Sequence, residues 1–78
     1  MARDLIWNKI MLAEFRKLAI LTEDEDKVLS GWSCHKSIVD IALTVGMSER
    51  TVSRHLEHIR GKYDEVQKFT PLLPPRRN

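Results

Sequence analysis

The chain has 78 residues, 42% of them hydrophobic and 31% charged, enough for one hydrophobic core and too little for a deep cleft with walls of its own. A core of this size contributes only roughly 3–5 kcal/mol, so such chains gain from a disulfide, a metal or a partner subunit. The single cysteine, Cys34, has no partner for an internal bridge, and no Cys/His set stands at zinc-ligand spacing. Self-association is the supplement to expect, with neither cofactor nor metal.

The net charge of +2 is too mild to imply a polyanionic partner by itself. Its distribution is more informative. Residues 1–40 carry six basic against seven acidic side chains, and residues 41–78 carry seven against four, so a polyanion would meet the second half. No stretch approaches the ~20 apolar residues of a membrane span. Asp4, Lys9, Glu14, Arg16 and Lys17 interrupt every apolar run near the N-terminus, which therefore lacks a signal-peptide pattern. With an unpaired cysteine, the expected compartment is the cytoplasm.

Prolines occur only at 71, 74 and 75, and no window alternates long enough for a strand, so the expected fold is all-α, a bundle of four to five helices. A first helix is predicted from about Arg3 to about Ala19, with Leu5, Trp7, Met11, Leu12, Phe15, Leu18 and Ala19 on a core face. Ile6 and Ile10 project elsewhere and are candidates for a subunit interface. The second helix opens with the capping box Thr22-Glu23-Asp24-Glu25. Its four acids, Glu23 to Asp26, read as a solvated first turn that compensates the helix dipole, with Val28, Leu29 and Trp32 inward. After a break at Ser33 to Lys36, Ser37 caps a short third helix whose inner stripe is Ile38, Ile41, Ala42 and Val45. Gly46 ends it as a left-handed residue. Ser48 then caps a fourth helix, with Val52, His55, Leu56, Ile59 and Tyr63 inward, predicted to run unbroken to about Phe69. Residues 1–69 form the expected domain. Residues 70–78, with three prolines and then Arg76 and Arg77, read as an extended, solubilising tail that does not join the core.

The informative unit runs from Ser37 to Tyr63: cap, short helix, glycine turn, second cap, longer helix. Ala42 is small where two helices must cross, and Val52 fills the angle between them. This is the pattern of a helix-turn-helix, whose second helix, here about residues 48–60, enters the ~12 Å major groove of DNA. With Val52, Leu56 and Ile59 inward, Glu49, Arg50, Ser53, Arg54 and Glu57 face outward. Arg50 and Arg54, one turn apart, suit guanine O6 and N7, and Ser53 is a further base-contact candidate. Ser48 and Thr51 at the helix start are candidates for phosphate, as are Lys36, Arg60 and Lys62. Tyr63, Val66 and Phe69, with Ile6 and Ile10, are the candidate dimer surface. His55 is read as a packed structural residue and Cys34 as a loop residue; the helical faces send Ser53 and His55 apart, so no nucleophile–base pair is expected and the chain is not read as an enzyme.

From Leu21 to Tyr63 the sequence resembles the DNA-binding domain of the LuxR/GerE family. The resemblance is carried by Leu21-Thr22, Glu25, Val28-Leu29, Ser37, Ile41-Ala42, Gly46-Met47-Ser48, Thr51-Val52, His55, Ile59 and Lys62, without insertion or deletion. Region 4 of sigma factors is similar over the same stretch, and His55 with Lys62 favours the LuxR type. The resemblance implies a sequence-specific DNA-binding regulator of bacterial or phage type, often dimeric. The family's usual glycine is replaced by His35, and a frequent basic residue by Ser53. Tyr63 to Lys68 continues the fourth helix where the family has a separate dimerisation helix, and the first helix lies outside the resemblance. The competing expectation is a protein-interaction module, such as a phage packaging subunit, with the helical motif as scaffold.

Overall fold

A computed structural model of the chain describes residues 7–75. Four α-helices are present among them: α1 (Lys9–Leu18), α2 (Glu23–Ser33), α3 (Ile38–Val45) and α4 (Glu49–Val66), followed by a 3-10 turn at Gln67–Phe69. No strand occurs among the described residues, and no helix there is long and apolar enough to cross a membrane.

Each α-helix starts at a side-chain cap. Asn8 accepts the Met11 N–H at 2.8 Å, so α1 begins at Lys9, after Trp7 and not before it. The earlier start expected from the apolar wheel fails because the Asn8 oxygen satisfies an orphan N–H and leaves Asn8 extended. Trp7 still reaches the core, from the segment ahead of the helix. Its ring meets Phe15, Trp32 and Tyr63 at centroid distances of 5.7, 5.5 and 5.7 Å. Leu5 and Ile6 lie outside the described residues.

The capping box of α2 forms reciprocally: Thr22 Oγ1 accepts the Glu25 N–H at 3.1 Å, and Glu25 Oε1 accepts the Thr22 N–H at 3.0 Å. The same contact overturns the expectation of four solvated acids. Glu23 and Asp24 are exposed, but Glu25 is buried, drawn inward by its cap and by a cation from α4. Ser37 and Ser48 cap α3 and α4 as expected, and Gly46 between them has φ 73°. In that conformation a β-carbon would be strained, which is why glycine stands there.

The long α4 packs against α1, α2 and α3, and Val52, Leu56, Ile59 and Tyr63 form its buried stripe. Val28 and Leu29 from α2, Ile41 from α3 and Phe15 from α1 complete the interior. Each such side chain, taken fully from water, contributes about 1.5–3 kcal/mol. Helices α2 and α3 approach so closely that a β-carbon on Gly31 would stand 2.6 Å from Ile41 Cγ1. Ala42, the small crossing residue expected from the sequence, is also buried.

Two further expectations change at the C-terminal end. The α-helix stops at Val66 and tightens into the 3-10 turn instead of running to Phe69. The tail then does join the core: Thr70 is buried, Leu73 belongs to the central cluster, and the Tyr63 hydroxyl donates to the Pro74 carbonyl. Prolines forbid helix here, but they do not forbid burial of the leucine between them. Arg76 and Arg77 lie outside the described residues. On α1, Leu18 is exposed, not inward.

Candidate nucleic-acid interface

With one side of α4 committed to the core, its first turns turn Glu49, Arg50, Arg54 and Glu57 to solvent, and Ser53 is half-buried at the edge. Arg50 and Arg54 are one turn apart. Neither forms an ion pair with another described residue, although Glu49 and Glu57 share that face. Two guanidinium groups therefore stand with their donors unspent.

The phosphate candidates divide. Lys36 is exposed in the segment before α3. Ser48 is exposed, but its hydroxyl is occupied: it accepts the Thr51 N–H at 3.2 Å and donates to Thr51 Oγ1 at 2.9 Å. Arg60 is half-buried with its guanidinium 5.4 Å from the Trp32 ring centroid, a cation–π contact that fixes its stem. Lys62 is half-buried and engaged within the chain: its ammonium donates to Glu25 Oε1 at 2.5 Å and to the Ile20 carbonyl at 2.7 Å. Its structural partners leave it little to offer a phosphate.

Burial tends to raise the carboxyl pKa of Glu25. The hydrogen bond from Lys62, the Thr22 N–H, and the charges of Lys62 and His55 outweigh that, and the group is held below the usual glutamate range. His55 and His58, one turn apart on α4, complete this cluster. His58 Nδ1 lies 3.9 Å from Glu25 Oε2, and His55 Nδ1 is buried with no hydrogen-bond partner among the described residues. Sequence reasoning missed the cluster, because nothing in the spacing of 25, 55 and 58 reveals which faces of α2 and α4 meet.

The candidate dimer residues also separate. Ile6 lies outside the described residues. Tyr63 is fully buried in its own chain, packed on Phe15 at 5.6 Å between ring centroids, and so is removed from any surface. Ile10 is exposed, Val66 half-buried, and Phe69 is 82% exposed. Beside Val66 an open groove of about 570 Å3 runs between the end of α1 and the second half of α4, lined by Leu18, Ala19, Ile20 and Gly61. Ile20 is 89% exposed and carries no sequence signal, since a lone isoleucine in a connector has no periodicity to betray it.

No protein-family model, curated protein or solved structure matches the chain.

Proposed function

We propose that the chain is a helix-turn-helix domain that binds double-stranded DNA sequence-specifically as a transcriptional regulator, with α3 and α4 as its two helices and residues 48–60 in the major groove. The carrying observation is the pair Arg50 and Arg54, exposed, one turn apart and unpaired with the acids beside them. Each can fork onto a guanine, a contact worth roughly 1–3 kcal/mol of discrimination. Lys36 and Thr51 are the proposed phosphate contacts that set the register. A homodimer on two half-sites would multiply a modest affinity, with Ile10, Val66 and Phe69 as the remaining interface candidates.

Two local features favour the resemblance to the LuxR/GerE type. His35, which stands where that family usually has glycine, has φ 62°, the backbone region that glycine suits. Glu25 and Lys62, two of the residues that carry the resemblance, pair with each other across α2 and α4.

The rival reading, a helical assembly module, draws support from exposed Ile20, Leu43 and Phe69. Retention on random duplex DNA, measured against salt, separates the two. The decisive experiment selects bound duplexes from a random pool and then tests the Arg50→Ala/Arg54→Ala variant on the selected site. Loss of specific binding at unchanged helical content is the expected result. Binding equal to that of the parent overturns the recognition-helix assignment.

A further inference from the structure

We infer that Glu25, His55 and His58 form a binding site for one divalent transition-metal ion of the zinc type, bridging α2 and α4. One carboxylate oxygen and one nitrogen from each imidazole all lie within 4.8 Å of one another. Glu25 Oε2 and His58 Nδ1 are 3.9 Å apart. Zinc binds nitrogen and oxygen at about 2.0–2.2 Å, which sets tetrahedral ligands about 3.3 Å apart. Closing the cluster onto an ion therefore needs movements of about an ångström, within reach of the exposed His58 side chain.

The donor set suits this class of ion. Two imidazoles and one carboxylate select zinc-like metals over calcium or magnesium, which take oxygen ligands. The carboxylate is ready for a cation: Oε1 receives both the Thr22 N–H and the Lys62 ammonium, and Oε2 is the oxygen toward His58. Its lowered pKa keeps it ionised at neutral pH. Nothing in the chain's own bonding fixes the proton on the His55 ring, since its buried Nδ1 has no hydrogen-bond partner among the described residues. That ring can present a lone pair. The fourth coordination position falls to water, because His58 lies at the surface. Lys62 opposes the ion electrostatically, so the affinity belongs in the micromolar range and not in that of a closed structural site. This site stands independently of the DNA-binding reading, since none of its three residues is a proposed DNA contact.

Titration of the full chain with zinc chloride, followed by calorimetry, is the test. One equivalent binds in the micromolar range, and His58→Ala, a surface change that leaves the circular dichroism intact, weakens binding by at least about tenfold. A Cys34→Ser/His35→Asn variant, which removes the other adjacent pair of metal-binding side chains, binds as the parent does. On the unaltered chain, zinc shifts the imidazole nitrogen resonances of His55 and His58 and leaves those of His35 in place. Failure to saturate at about 100-fold above micromolar zinc overturns the site. So does equal binding by His58→Ala, or loss of binding in the Cys34→Ser/His35→Asn variant alone.

Discussion

The ammonium of Lys62 on α4 sits 2.5 Å from Oε1 of Glu25 on α2, and it also closes the end of the α1–α2 connector through the Ile20 carbonyl at 2.7 Å. One cation thus ties two consecutive pieces of chain, the α1–α2 connector and α2, to the longest helix. Lys62→Met keeps the aliphatic stem but leaves a buried carboxylate without its cation, and lowers stability by about 2 kcal/mol, read as the denaturant midpoint. A loss within 0.5 kcal/mol, the usual effect of a surface change, would show that the pair is only a surface contact.

The same carboxylate sets an acid limit. Its pKa in the folded chain lies below the ordinary value of about 4.3, so the folded state binds the proton less readily than the unfolded one. The stabilisation is fully present above that ordinary value and is lost as pH falls through the lower folded one. Urea unfolding between pH 6 and 3 tests this: Glu25→Gln, though less stable at neutral pH, shows a shallower loss in the acid limb than the parent.

His35 holds φ 62°, a conformation that burdens any side chain with a β-carbon. Its N–H donates to the Trp32 carbonyl at 2.9 Å and the following Lys36 N–H to Gly31 at 3.1 Å, so the turn that ends α2 imposes this backbone. His35→Gly raises stability by about 0.5–1 kcal/mol after the entropy of the freer unfolded chain is counted. His35→Val lowers it. Thermal melts that order the three chains as glycine, histidine, valine bear this out; the reverse order refutes it.

The tail is structural as far as Pro74. Leu73→Ala opens a cavity beside the core and costs about 2–3 kcal/mol. Tyr63→Phe removes only the hydroxyl that donates to the Pro74 carbonyl, and costs about 1 kcal/mol. If Leu73→Ala melts at the same temperature as the parent, the tail contributes nothing to the core.

Local physics made much of this molecule legible from its residues. Thr22, Ser37 and Ser48 announce three helix starts, Gly46 announces the turn, and the stripe Val52, Leu56, Ile59 and Tyr63 announces the inner face of α4, because caps and 3.6-residue periodicity act within a few positions of chain. The outward position of Arg50 and Arg54 follows from that stripe. The inward turn of Glu25, the capture of Lys62, the return of Leu73 to the core and the meeting of His55 and His58 with residue 25 follow from nothing local. Each depends on how α2 and α4 cross and on which end of the chain folds back, and packing of side chains far apart in sequence decides both.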